Sequence, residues 1–289
     1  MGIDLSLASL LLELKYLEKL KDVKNVLEIG SQELHLKKDD LKELYNQVGL
    51  DDKLLDNHSN LDNWPDEPRE SAKKFYNDLG IKDYTNIDLT GEHESIPLDL
   101  NKELTDKSLF NKFDLVTDFG SCEHVFNISE CYRTMHNITK VNGIIIIDQI
   151  VFKGNGYFLF NRGFLEGLAA ANKYKILYSA YKIGTGTKTS AGSFKTYRVP
   201  LVEDILKNFH NYDTEIGITM VFQKIEDKEF KIPYQGGLFN QKYNTFGFNR
   251  VYNRDDLSIS YLAEYNVKHL SFKILLKEFF NRIKKRLMG

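Results

Sequence analysis

Five short stretches carry residue types able to do chemistry. Glu28-Ile-Gly30-Ser31-Gln32 closes an apolar run. A glycine at that place lets backbone approach a ligand closely, because no side chain intervenes. Asp88 comes near the end of a second run, Tyr84 to Leu89. A carboxylate there can accept two hydrogen bonds from a ribose diol. Further on, Pro97-Leu-Asp99-Leu100 sets an acid beside an apolar residue. Asp99 could accept from an exocyclic amine while Leu100 packs on the ring. Phe113 to Thr117 leads into Asp118-Phe119-Gly120 and then Glu123-His124. Histidine titrates near neutrality, so His124 can take the proton of an acceptor hydroxyl. Each feature also has a plainer reading. Glu28 could cap a turn, Asp88 and His124 a helix, and Asp99 could be a loop carboxylate. Glu123 either orients His124 or touches a bound cofactor.

Alternating elements must position these residues. Leu5 to Leu20 has apolar residues at helical spacing, Asp40 to Val48 and Glu70 to Leu79 read as helices, and Ile128 to Lys140 and Gly163 to Lys173 follow suit. Val26 to Gly30, Tyr84 to Leu89, Phe113 to Thr117, Gly143 to Ile147, Lys175 to Ile183 and Thr219 to Lys224 read as strands. Val202 to Phe209 reads as one more helix. Strands alternating with helices predict an α/β fold with a doubly wound, mostly parallel sheet. In such sheets ligands bind outside the carboxyl ends of the strands, which is where the five stretches fall.

Together these segments resemble class I S-adenosylmethionine-dependent methyltransferases. VLEIGS (Val26 to Ser31) is similar to their motif I, and YTNIDLTGEHESIPLDL (Tyr84 to Leu100) to their motif II with the acidic segment after it. FDLVTDFGSCEHV (Phe113 to Val125) is similar to motif IV, and NGIIIID (Asn142 to Asp148) to the fifth strand. The resemblance spans roughly residues 20 to 225 in the family's order. It implies seven strands with an antiparallel strand at the edge, and S-adenosyl-L-methionine as cofactor. Glu28, Gly30 and Ser31 would face the methionine part, Asp88 the ribose, and Leu89 would lie beside the adenine. Asp99 and Leu100 would read the adenine, and Asp118, Phe119 and Gly120 would pass under the methionyl group. Glu123 and His124 would stand at the transferable methyl. Tyr157, Asn161 and Arg162 follow the fifth strand, where acceptor pockets form in this fold.

The chain departs from the family at motif I. The glycines expected after Gly30 are replaced in Gly30-Ser-Gln-Glu-Leu34, so a cofactor role for Gln32 does not carry over. The dinucleotide pattern Gly-x-Gly-x-x-Gly is equally absent, which argues against a nicotinamide-dependent oxidoreductase. The long gap between Gly30 and Asp88 implies a helical insert, about residues 33–80, expected to act as a lid. Residues 1–225 form the expected methyltransferase domain. Residues 226–289 form an aromatic, irregular extension ending in a basic amphipathic helix at 269–287, which either docks on the domain or lies on an anionic membrane.

Composition narrows the partners. Net charge is -2 and no basic stripe covers the core, so nucleic acid is not an expected partner. A small-molecule or sugar-like acceptor is expected, with O-methylation of a glycan precursor as the leading reading. A catalytically inactive scaffold of the same fold is the alternative. Glu92, His93 and Glu94 lack partner spacing for a metal, and the two cysteines, Cys122 and Cys131, fit neither a metal motif nor a disulfide framework. A reducing, cytoplasmic setting is expected. The N-terminal stretch lacks the basic region of a secretory signal, and no apolar run approaches the ~20 residues of a membrane span.

Overall fold

The computed structural model describes residues 2–185, 195–199, 215–233 and 251–252. Along the chain run β1 (Gly2–Ile3), α1 (Leu5–Tyr16), β2 (Asn25–Ile29), β3 (Glu33–Leu34), α2 (Lys38–Val48), α3 (Ala72–Asp78), β4 (Asp83–Asp88) and β5 (Ile96–Pro97). They continue as β6 (Phe113–Phe119), α4 (Ile128–Ile138), β7 (Thr139–Phe152), α5 (Arg162–Asn172), β8 (Lys175–Thr185), β9 (Lys195–Val199), β10 (Ile216–Gln223) and β11 (Val251–Tyr252). The helix expected at 202–209, most of the loop at 184–193 and the basic helix at 269–287 lie outside the described residues.

Seven strands make the principal sheet, in the order β5-β4-β2-β6-β7-β10-β8. The pairs from β5 through β7 are parallel. Strand β10 is antiparallel to both of its neighbours, β7 and β8. It therefore belongs to the edge pair but sits one place in from the end. β9 and β11 attach to β8 and widen the sheet to nine strands. This is the doubly wound, Rossmann-like arrangement that the resemblance implies.

Alternation along the strands builds two cores. Val26, Leu115, Ile144 and Ile146 face the layer holding α1, α2 and α3. Leu27, Ile29, Val116, Ile145 and Ile147 face the layer holding α4 and α5. Strands covered on both faces read as unbroken apolar runs, which is why Ile144 to Ile147 has no polar break. The insert is less a lid than a piece of the core. Leu41, Leu44, Tyr45, Leu55 and Leu61 are buried with α1, and Phe75 and Tyr76 of α3 are buried in the same cluster. Helix α1 is capped by Asp4, whose carboxylate accepts from the Leu7 N–H at 3.0 Å. It stops at Tyr16 rather than Leu20, because Glu18 takes a positive φ of 57°.

The chain leaves β2 for β4 and β5 on one side, then returns to β6 on the other. The carboxyl ends of β2 and β6 thus flank the topological switch point, where an open α/β sheet forms its crevice.

Candidate active site

The turns after β2 and β6 are locked against each other. Gly30 has φ +83°, and a Cβ there would fall 2.2 Å from Ser121 Oγ. Only glycine suits both the backbone and the space. The Ser121 hydroxyl donates to the Ile29 carbonyl at 2.6 Å. The Gln32 amide donates to that same carbonyl and to Ser121 Oγ, each at 2.9 Å. Beneath the turn, Asp118 accepts from the N–H groups of Ser121 and Cys122 and from Gln149. Burial nevertheless pushes the Asp118 carboxyl up to about 7, against the pull of those donors. Phe119 is buried beside it, and Gly120 donates to the Asp148 carbonyl at 2.9 Å.

At the end of β4, Asp88 accepts from the Ser31 N–H at 3.0 Å and from the Thr90 N–H and hydroxyl. These bonds outweigh partial burial and hold its carboxyl below the usual range. Each carboxylate oxygen has more than one lone-pair direction, so acceptor capacity remains on the exposed side. Leu89 stands beside it, 70% exposed, which is unusual for leucine. Leu100 is nearly buried, and Asp99 closes a turn onto Asn101, its partly exposed carboxyl held low by that residue and by Lys102. The Ser31 hydroxyl donates to the Glu92 carbonyl at 2.6 Å. His93 is not a free loop residue, since its Nε2 lies 3.4 Å from Glu33, which also pairs with Arg69.

Glu28 is placed elsewhere. Its side chain alternates to the α1–α3 face, fully buried, and accepts from Tyr84 Oη at 2.6 Å. Burial raises its carboxyl from about 4.5 to about 8. The folded state therefore keeps a proton that the unfolded chain releases above pH 4.5, so this group makes stability fall as pH rises between those values. Glu28→Gln keeps an acceptor for Tyr84 and removes that slope. We expect the variant to gain about 2–4 kcal/mol on the wild type between pH 5 and pH 8 in urea unfolding. Parallel pH curves for the two proteins would mean that Glu28 is ionised in the fold.

Glu123 and His124 lie in a single turn after β6. Glu123 is buried, accepts from the Ile150 N–H at 3.1 Å, and stands 3.5 Å from His124 Nε2. Burial raises the Glu123 carboxyl and lowers His124. A lowered histidine is neutral at physiological pH and can accept a proton. Gly156 packs directly on Glu123, where a Cβ would sit 2.8 Å from its side chain. Next to this contact Tyr157 meets Phe126 edge-on, with centroids 6.3 Å apart. Both rings are strongly exposed, 74% and 76%.

The other two residues expected at the acceptor serve α5. Asn161 accepts from the Phe164 N–H as the helix cap, and Arg162 pairs with Glu166 one turn on. Asn161 also lines a separate cavity of about 280 Å³ between α4, α5 and Phe230.

Three features escaped sequence reasoning. Cys122 and Cys131 form a disulfide, correcting the expectation of two free thiols; the start of α4 folds back over the turn and brings their Cα atoms to 6.3 Å. Lys182 of β8 pairs with Asp148 of β7 and lies 3.1 Å from Asp4, which ties the N-terminal segment to the carboxyl edge of the sheet. Phe126 carries no motif signal. Among the described residues no cluster of three or more His, Cys, Asp or Glu is arranged to hold a metal ion.

No protein-family profile and no curated protein sequence matches the chain. Solved structures do. The 1,6-didemethyltoxoflavin-N1-methyltransferase of Burkholderia thailandensis is similar over 76% of this chain and 77% of its own, at 13% identity and a TM-score of 0.38. A SAM-dependent methyltransferase from Archaeoglobus fulgidus is similar over 74% and 93%, at 10% identity and a TM-score of 0.38. TehB from Haemophilus influenzae is similar over 72% and 61%, at 13% identity and a TM-score of 0.37. The strand order described above, rather than this overlap, carries the fold assignment.

Proposed function

We propose that the chain is an S-adenosylmethionine-dependent methyltransferase that methylates a hydroxyl of a small, sugar-like acceptor. One observation supports the reading. A glycine turn, an acid at the end of the neighbouring strand and a histidine 3.5 Å from a buried carboxyl all stand at or just past the carboxyl ends of the strands β2, β4 and β6 that flank the switch point. The residues present fit the cofactor. Asp88 retains acceptor capacity for a ribose diol, exposed Leu89 offers an apolar wall for adenine beside it, and Asp99 stands free enough of burial to accept from an amine.

When bound, the cofactor supplies a methyl carbon made electrophilic by the sulfonium charge. The protein aligns the acceptor and removes its proton. His124 takes the hydroxyl proton, and Glu123, fixed by the Ile150 N–H and by Gly156, orients the imidazole. Phe126 and Tyr157 supply exposed ring surface on which the C–H face of a sugar packs. Gly30, Ser31 and the Asp118–Gly120 segment form the rigid floor.

Calorimetric titration with S-adenosylmethionine and S-adenosylhomocysteine, with NAD alongside, tests the reading. Micromolar binding of both sulfur ligands is expected. Asp88→Asn, which keeps an acceptor for Thr90 but loses the charge, should weaken both by roughly 1.5–3 kcal/mol. Binding of neither ligand would sink the proposal in favour of a scaffold role, and binding of NAD instead would make the chain an oxidoreductase.

A further inference from the structure

Two helix glycines and an unfilled cavity meet on the face of the sheet that holds α4 and α5. The cavity, about 280 Å³, lies between those helices and the strap that follows β10. Helix α4 contributes Ile128 and Tyr132, one turn apart, and α5 contributes Gly163, Phe164 and Gly167. Phe230 closes the space from the strap. That strap is fixed in place. Asn172, at the end of α5, accepts from the Lys231 N–H at 2.8 Å and donates to the Lys231 carbonyl at 3.0 Å, while Arg133 lies 5.3 Å over the Phe230 ring. The space is therefore not the product of a loose loop. A cavity costs stability because its lining atoms lack partners, and a glycine inside a helix costs stability relative to alanine. Gly167 incurs both costs at once, and an occupant of the cavity offsets them.

The walls limit what that occupant can be. The rings of Tyr132 and Phe164 stand 5.5 Å apart at 52° to each other, and a third ring packs well on such a pair. No charged side chain is among the described residues that line the cavity, so an ion entering it would lose water without gaining a counter-charge. Two polar groups do line it. Asn161 uses its Oδ1 on the Phe164 N–H, which leaves its NH2 group without a partner among the described residues, and the Ser129 hydroxyl is likewise uncommitted. An apolar cavity of about 150 Å³ in another protein takes up benzene, so this one has room for a substituted or fused ring. We propose that the cavity is a separate small-molecule site, for a neutral aromatic ring bearing one hydrogen-bonding group. None of the groups proposed above to hold the cofactor or the acceptor lines it, so it stands apart from that reading.

Full-length protein is titrated calorimetrically with p-cresol, with indole and with 4-hydroxybenzoate. The two neutral rings should bind with submillimolar Kd, and 4-hydroxybenzoate, a similar ring carrying a charge, at least about tenfold more weakly. Saturating S-adenosylhomocysteine should leave the p-cresol affinity within about twofold. Gly167→Leu puts a better helix former into the space, so it should melt no lower than wild type and lose p-cresol affinity at least about tenfold. Absence of submillimolar binding by both neutral rings would overturn the proposal, as would equal affinity for the charged ring, and these arms need no variant to fold. A folded Gly167→Leu protein that binds p-cresol as wild type does would overturn it too. So would competition between p-cresol and S-adenosylhomocysteine, which would put the ring in the adenine's place.

Discussion

Lys182→Ala should destabilise the protein by about 3–5 kcal/mol, one of the two largest effects expected here. The lysine side chain is only 11% exposed, beside Asp148, with its ammonium 3.1 Å from Asp4. Its two carboxylate partners drive the lysine further above its usual range, although burial alone would lower it. Asp148 is also held by the Thr219 hydroxyl at 2.5 Å, and Asp4 by the first turn of α1. Removing the lysine leaves one buried and one half-buried carboxylate without a counter-charge. That desolvation cost, not the lost attraction, sets the size of the effect.

The sign with pH follows. Asp4 is held below its usual range in the wild type by Lys182 and its hydrogen bonds, whereas burial pushes Asp148 up. Without the lysine both carboxyls rise, so the folded variant holds protons that its unfolded chain releases. Its deficit should therefore shrink as pH falls toward 4 and widen toward neutrality. Urea unfolding across that range measures it. Adding Asp148→Asn and Asp4→Asn to Lys182→Ala should recover much of the loss. A single-variant deficit below 1 kcal/mol at pH 7 would mean that water reaches the cluster.

His124→Ala should lower turnover by about 10²- to 10⁴-fold once an acceptor is in hand, the usual contribution of a positioned base. Affinity for S-adenosylhomocysteine should stay within about twofold, because His124 is not among the groups proposed to hold the cofactor. In the wild type the rate should fall on the acid side as His124 becomes protonated. Burial lowers that titration below the usual histidine value, so the acid limb should lie below about pH 6.5. The variant should lose this limb along with its rate. A variant that kept wild-type turnover, or the same acid limb, would remove His124 from the mechanism and leave Glu123 as the group to examine. Phe126→Ala and Tyr157→Ala supply the contrast, since ring surface that positions an acceptor should change KM more than kcat.

How much of this was legible in the sequence depends on distance along the chain. The parallel strands were, because a strand buried on both faces has to be apolar throughout, and Ile144 to Ile147 admits no other reading. So was the position of Asp88 and of the Gly30 turn at the ends of their strands, because each closes an apolar run. Which way a residue faces was harder to read. Glu28 lies one residue before Ile29 and so points to the opposite side of the sheet, into Tyr84 rather than the crevice. Pairings across large separations left no local signal. Asp4, Asp148 and Lys182 meet only because β7 and β8 end at one edge with the N-terminal segment folded over them. The insert read as a lid from the long gap between Gly30 and Asp88, yet its buried leucines are spaced to seat it against α1.

The place of β10 has a consequence for the order of synthesis. Strands β7 and β8 do not pair with each other, because β10 lies between them and bonds to both. On the ribosome, therefore, β8 emerges with no seat in the sheet and must wait for residues 216–223 before it acquires one. Until then the nascent chain holds the β5-to-β7 half with the β7 edge unpaired, and Asp148 at that edge lacks Thr219. An exposed strand edge invites pairing with another chain. The interval between translation of β8 and of β10 is thus the time when this protein is most exposed to misassembly and has the greatest need of a chaperone.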